Sequence, residues 1–236
     1  MPRLPDRADL EALRAFDTPT ICNALELVAP ARRAVGFTRG PLIAAFPELK
    51  PVVAFARTAL IRSREPHPRS RDEAKEVRLG YYGHIAAEPL PSIAVIQDID
   101  APDTGFGAFW GEVQTHIHKG LGCAGVITDG SVRDLDAMAP DFLVLAGSIM
   151  PSHAHIHLVD FGRHGECGNA GRRIRVLNDK HEAPGSARKA GPGQRRGNIG
   201  TVASILRRYL APGRDRRARQ HQGHYRLRIA RATLIR

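Results

Sequence analysis

Nowhere in this sequence do eighteen apolar residues follow one another, which excludes a membrane-spanning helix of ordinary length. Met1 to Arg14 mix charges with prolines and contain no apolar stretch of the kind a secretory leader needs, so a cytoplasmic location is expected. Cysteine is scarce. Cys22, Cys123 and Cys167 are far apart, odd in number and without a CxxC pair, which argues against a disulfide framework or a cysteine zinc site. The 236 residues suffice for one domain with a true core, or for a smaller domain with an extension, and not for two full domains.

Acidic residues are missing from one part of the chain only. The overall formal charge of +11 suggests a nucleic-acid partner until the chain is divided after Gly162. Residues 163–236 carry 19 of the 35 Lys and Arg against four acids, whereas residues 1–162 are mildly acidic. The same 74 residues hold only 12 Leu, Ile, Val and Phe, too few to build a core of their own. Tyr209 and Tyr225 are their only aromatic residues, which leaves no row of platforms for stacking single-stranded nucleic acid. We therefore expect a catalytic-type domain over residues 1–180 and a basic tail over 181–236. This tail is expected to be poorly ordered or only locally helical in the free protein, with a short amphipathic turn over Ser204–Leu210 that is marginal without a docking surface. It is a true basic extension or the product of a shifted reading frame, and any contact with nucleic acid would be non-specific and through it.

The remaining pattern alternates helix and strand. Helical spacing over Asp9–Phe16 is followed by Asp17-Thr18-Pro19, a capping residue with proline just inside a second helix. Pro41–Phe46 and Val52–Ile61 read as strands, Arg64–Arg71 as a solvated loop and Asp72–Ala87 as a helix. Ser92–Ile96 is a buried-strand run ending in polar residues. Trp110, Val113, Ile117 and Leu121 mark one face of a helix expected over Ala108–Leu121, with Trp110 in the core, and Gly125–Thr128 is the next strand. Strand, crossover helix and strand make a βαβ unit with parallel strands. A helical turn over Ser131–Met138 and strands over Asp141–Ala146 and Ser152–Phe161 complete the pattern.

Two polar clusters fall at the carboxyl ends of neighbouring strands of this unit, where crevices form in open α/β sheets. One is Gly105–Gln114 and the other Asp129-Gly-Ser-Val-Arg-Asp134. Gly111 allows backbone N–H groups near a helix start to approach an anion. Arg133 has the fork to hold a carboxylate, and Asp134 with Glu112 opposite suits a hard divalent ion. On spacing alone, a simple surface ion pair between Arg133 and Asp134 is an equal alternative. His153, His155 and His157 alternate along an expected strand and share a face, which more often lines a subunit interface than binds metal.

Residues 109–136, from Phe-Trp-Gly-Glu-Val-Gln through Thr-Asp-Gly-Ser-Val-Arg-Asp-Leu-Asp, resemble the signature stretch of the RraA-like family. That family includes class II pyruvate aldolases acting on 4-hydroxy-4-methyl-2-oxoglutarate and a regulator that inhibits ribonuclease E. The resemblance runs from about Phe16 to Phe161. It implies an α/β fold of the swivelling β/β/α type, with a mixed or parallel central sheet flanked by helices, and a homotrimer or hexamer. It also implies that Gly111, Glu112, Val113 and Gln114 supply backbone amides for a pyruvate moiety. Arg133 would then bind its carboxylate or ketone oxygen, Asp134 would hold Mg²⁺, Mn²⁺ or another divalent cation, and Glu112 would support that cation through water.

The activity so implied is a metal-dependent lyase releasing pyruvate from a 4-hydroxy-2-oxo acid, with oxaloacetate decarboxylation as a second reaction. Glu112 and Arg133 would be its catalytic side chains. The proton of the 4-hydroxyl would pass to a metal-bound or Arg133-activated water. The alternative is a non-enzymatic regulator that binds ribonuclease E. Two departures stand out: Ala137 occupies a position that is acidic in the aldolases, and an acidic residue that reaches the metal from a neighbouring subunit in several relatives has no counterpart here.

Overall fold

The computed structural model describes residues 4–33, 41–162, 201–206 and 233–234. Helices α1 (Arg7–Arg14) and α2 (Thr18–Val28) open the chain, each started by an aspartate side chain that accepts a backbone N–H of the first turn, Asp6 from Asp9 and Asp17 from Thr20. Strand β1 (Ile43–Ala44) is short. The apolar run expected as one strand over Val52–Ile61 divides at Ala54 into β2 (Val52–Val53) and β3 (Phe55–Arg62). Helix α3 (Arg71–Ala86) begins at a capping box of Ser70 and Glu73.

Next come β4 (Ser92–Asp98), β5 (Ala108–Trp110), α4 (Glu112–Gly120), β6 (Cys123–Thr128) and β7 (Ser131–Val132). After these lie β8 (Leu143–Ala146), β9 (Ser148–Ile149) and β10 (His157–Phe161). Thr233–Leu234 forms β11, paired antiparallel with β2.

Six strands make the central sheet in the order β1-β8-β6-β4-β3-β10. The four inner strands are parallel, and the edge strands β1 and β10 are antiparallel to their neighbours. A second, three-stranded parallel sheet, β5-β7-β9, stands at the carboxyl ends of β6 and β8, which lead directly into β7 and β9. With the β2–β11 pair this makes three sheets in a mixed α/β architecture with helices, and β4, α4 and β6 form the expected parallel unit.

Alternate residues of the sheet serve two cores. Ala94 and Ile96 face Tyr81, Ile85, Trp110 and Phe142, while Ile93 and Val95 join Ile127, Leu143 and Leu145 on the other side. A third cluster joins Leu10, Leu13, Ile21 and Phe55 to Val202, Ala203, Ile205 and Leu206. Residues 201–206 are helical, so this stretch of the basic tail packs on the domain although it was expected to stand apart from it. Residues 163–200, including Cys167, and most of 207–236 lie outside the described residues. Among the described residues, Cys22 and Cys123 are free thiols and no helix is long and apolar enough to cross a membrane.

Four local expectations are corrected. Ala108–Trp110 is a strand, and the helix begins at Glu112. The buried residues of α4 are Thr115 and His118 rather than an apolar stripe, and Val113 is 64% exposed. Polar residues suffice there because each is satisfied: Thr115 Oγ1 donates to the Gly111 and Glu112 carbonyls and accepts from Ala139 N–H, and His118 Nε2 accepts from Tyr81 Oη at 2.7 Å. Ser131–Met138 is strand β7 followed by a single 3-10 turn, Leu135–Ala137. Finally, the strand expected from Ser152 starts only at His157. Ala154 has φ 46°, which turns the chain and takes His153 and His155 off any common strand face.

Candidate active site

The polar loops at the carboxyl end of the sheet are stitched to its strands by carboxylates. Asp129 Oδ1 accepts the Asp98 N–H at 2.7 Å, and the Asp98 carboxylate accepts from Gly105 N–H at 2.7 Å and Asp100 N–H at 3.0 Å. Burial pushes the Asp98 carboxyl above its ordinary range, an effect opposed by these two backbone donors. Ser63 Oγ accepts the Gly107 N–H, and Ser152 the Ala108 N–H through its carbonyl. These bonds set the path into β5 and fix where Gly111 begins helix α4.

Gly111 and Asp134 are pressed together. A Cβ on Gly111 would stand 2.6 Å from Asp134 Oδ2 and 3.2 Å from Arg133 Cγ, so only glycine lets the two segments approach this closely. Arg133 N–H donates to the Trp110 carbonyl at 2.9 Å, which aligns the end of β7 with the end of β5. Asp134 then turns the chain in the left-handed region, at φ 55° and ψ 41°, a conformation that aspartate tolerates better than most residues. Its Oδ2 lies 3.4 Å from Arg133 Nε, with both side chains a little over one third exposed.

No side chain caps the start of α4. The amides of Glu112, Val113 and Gln114 therefore head a helix whose positive end opens beside the Arg133 guanidinium. Gln114 is itself held by Tyr82 Oη, which donates to its Oε1 at 3.2 Å.

An open cleft of about 250 Å³ lies here, lined by Gly111, Val113, Gln114, Arg133 and Asp134 on one side. The rest of its wall comes from far away in the chain: Arg78 of α3, His67 of the preceding loop, and His153 and His157 around the start of β10. The structure thus brings five of the six sequence-derived site residues to one cleft. Glu112 is exposed at the first position of α4, and its side chain is not among the lining groups.

The His67 and His157 rings lie 4.5 Å apart between centroids. Burial first, then the proximity of His157 and Arg69, moves His67 below the ordinary histidine value. His67 and Arg78 gave no signal in the sequence, because nothing in a charged loop or on a charged helix face says which strand end it will face.

With one acid among two arginines and three histidines, the cleft is built for an anion. Asp134 offers one hard oxygen donor, and among the described residues no group of three His, Cys, Asp or Glu side chains comes together. That donor set fits Mg²⁺ or Mn²⁺, ions that commonly take one or two carboxylates and complete their shell with water and substrate oxygens.

A family model described as RraA-like (Aldolase/RraA) matches residues 18–160, more than half of the chain. The structure is similar to that of Streptomyces coelicolor RraAS2, described as an unusual member of the RNase ES inhibitor RraA protein family. The TM-score is 0.53 and the identity 16%, over 86% of this chain and 93% of that one. An uncharacterized protein from Pseudomonas syringae pv. tomato gives a TM-score of 0.51 and 19% identity, over 70% of this chain and 68% of that one. Comparison with curated proteins gave no match.

Proposed function

The chain belongs to the RraA-like family, and from this premise we propose that it is a divalent-metal-dependent lyase that releases pyruvate from a 4-hydroxy-2-oxo acid and also decarboxylates oxaloacetate. The observation that carries the reading is the close approach of Arg133 and Asp134 to the uncapped start of α4 at Gly111. A surface ion pair would need neither the glycine nor the open helix end.

Each part has a task in such a reaction. The planar fork of Arg133 binds the substrate carboxylate with two parallel hydrogen bonds. The amides of Glu112, Val113 and Gln114, at the positive end of α4, receive an oxygen of the 2-oxo acid and favour the negative charge that grows there as the carbon–carbon bond breaks. Asp134 would hold the divalent cation, which supplies Lewis-acid withdrawal of electrons from the 2-oxo group. Glu112, exposed beside them, supports the site's charge from outside the cleft. Phe109, Val113, Ile156 and Leu158 give the cleft apolar wall against which a short carbon chain packs. The reading is tested by assaying pyruvate release from 4-hydroxy-2-oxo acids and oxaloacetate, with and without Mg²⁺. A homotrimer or hexamer is proposed with it, to be checked by light scattering.

The second reading, a regulator that binds ribonuclease E, draws on the inhibitor description of the Streptomyces relative. A protein-binding surface has no use for a charged pair folded into a cleft, so the lyase is preferred. Stoichiometric binding and inhibition of ribonuclease E, with no pyruvate released from any substrate, would reverse the order.

A further inference from the structure

A retro-aldol cleavage needs a group that takes the proton from the 4-hydroxyl, and the cleft that Arg133 and Asp134 line offers one. We propose that His157 is the proton acceptor of the lyase reaction, through Nε2, with His67 packed against it as a positioning residue. This inference rests on the lyase reading above.

The backbone fixes which ring nitrogen is free. His157 Nδ1 lies 2.8 Å from the His155 carbonyl, which can only accept, so Nδ1 carries the hydrogen and Nε2 keeps the lone pair. His67 is arranged the opposite way. Its Nδ1 lies 2.9 Å from the Arg69 backbone N–H, which can only donate, so in the neutral ring Nε2 carries the hydrogen. Of the two packed rings, only His157 presents an acceptor. His157 is also buried, at 7% exposure, and begins a strand paired with Arg62 of β3, so its ring is held rather than free to turn.

His153 has the same tautomer, with Nδ1 2.7 Å from the Ala154 carbonyl, but it is exposed on the turn and its free nitrogen is open to water. The charged groups around the pair are Arg62, Arg69, Glu73, Arg78, Arg133 and Asp134. Arg69 is turned to the backbone, donating to the Leu158 and Val159 carbonyls at 3.1 Å, and so braces the strand that carries His157.

The step balances within the site. His157 Nε2 takes the hydroxyl proton, the O–H electrons become the new C4 carbonyl, the C3–C4 bond breaks, and its electrons form the enolate of pyruvate. C3 of the enolate then takes a proton from water and His157 gives its proton back to water, so pyruvate forms with no other reactant. Oxaloacetate decarboxylation leaves the same enolate, protonated from water in the same way, but has no hydroxyl to deprotonate, so it does not call on His157.

This difference makes the test. His157→Asn keeps an amide donor near the His155 carbonyl and removes Nε2. In the full-length protein with Mg²⁺, it should lower kcat for a 4-hydroxy-2-oxo acid by roughly a hundredfold or more, the usual worth of a positioned base, while oxaloacetate decarboxylation stays within about threefold. His157→Gln, a second variant that also lacks the imidazole, should show the same split between the two reactions, and it takes the place of His157→Asn if that variant fails to fold.

Equal loss of both reactions in a folded variant, or retained cleavage, would overturn the proposal. So would a selective loss in His153→Asn that His157→Asn does not show. If the parent protein performs neither reaction, the lyase reading itself has failed, and this inference fails with it.

Discussion

Asp134 Oδ2 occupies the space that a Cβ on Gly111 would need, at 2.6 Å, so the metal-binding candidate and the start of α4 are held apart by the width of a missing methyl group. Gly111 has φ −169° and ψ −159°, extended backbone that alanine adopts freely. Gly111→Ala should therefore act by steric displacement of Asp134 and Arg133 alone. Pyruvate release should fall by roughly a hundredfold, the cost of moving a site by about an ångström, with little change in thermal unfolding. Unchanged turnover would mean that the approach of these segments does not matter to the reaction.

Arg133→Lys tests the fork. Lysine keeps the charge but cannot make two parallel hydrogen bonds in one plane. The expected result is a KM raised by about tenfold or more with a smaller change in kcat, measured by steady-state kinetics on the best substrate. Equal KM for both proteins would remove Arg133 from carboxylate binding.

The site was partly legible in the sequence because the words that build it are local. Asp129–Asp134 and Gly105–Gln114 each sit at one strand end, and parallel pairing of β4 with β6 brings them together. The start of α4 was misplaced for a physical reason: Trp110 stands three residues before Val113 and so continues an apparent helical stripe, although it is the buried end of β5. The far wall was not legible. His67, Arg78 and His157 come from a loop, a helix and an antiparallel edge strand, and only the folded chain brings them to the cleft that holds Arg133. For the tail, the apolar spacing after Ser204 hinted at a helical turn, but composition could not show that residues 201–206 would find a surface on α1 and α2 for their four apolar side chains.

His118 supplies a pH-dependent term in stability. Burial lowers its pKa from 6.5 to about 4, against a smaller opposing effect from the Gln114 carbonyl. A folded-state value below the unfolded one means that the unfolded chain binds the extra proton first. Stability is therefore full above about pH 6.5 and is lost as pH falls from there towards 4, by on the order of 3 kcal/mol at the lower end. Urea unfolding at pH 7 and pH 4.5 should show this loss, and His118→Gln should show less of it, whatever its stability at pH 7. An identical pH dependence in parent and variant would contradict the assignment.

Leu206 is 2% exposed in the cluster with Leu10, Leu13 and Ile21. Leu206→Ala should cost about 2–5 kcal/mol, as for other buried leucines, if this helix docks on the domain. Urea unfolding that does not distinguish the variant from the parent would show that the helix adds nothing to the fold.

The most direct test of the lyase reading is pyruvate release by the full-length protein, assayed with Mg²⁺, with excess chelator, and with Mg²⁺ restored. Asp134→Asn should be run beside it. Asparagine tolerates the left-handed backbone at this position, so the variant should fold while losing the charged oxygen donor. The expected result is turnover that disappears in chelator, returns with Mg²⁺ and is lost in the variant under all three conditions. Full activity in excess chelator, or in Asp134→Asn, would contradict the account.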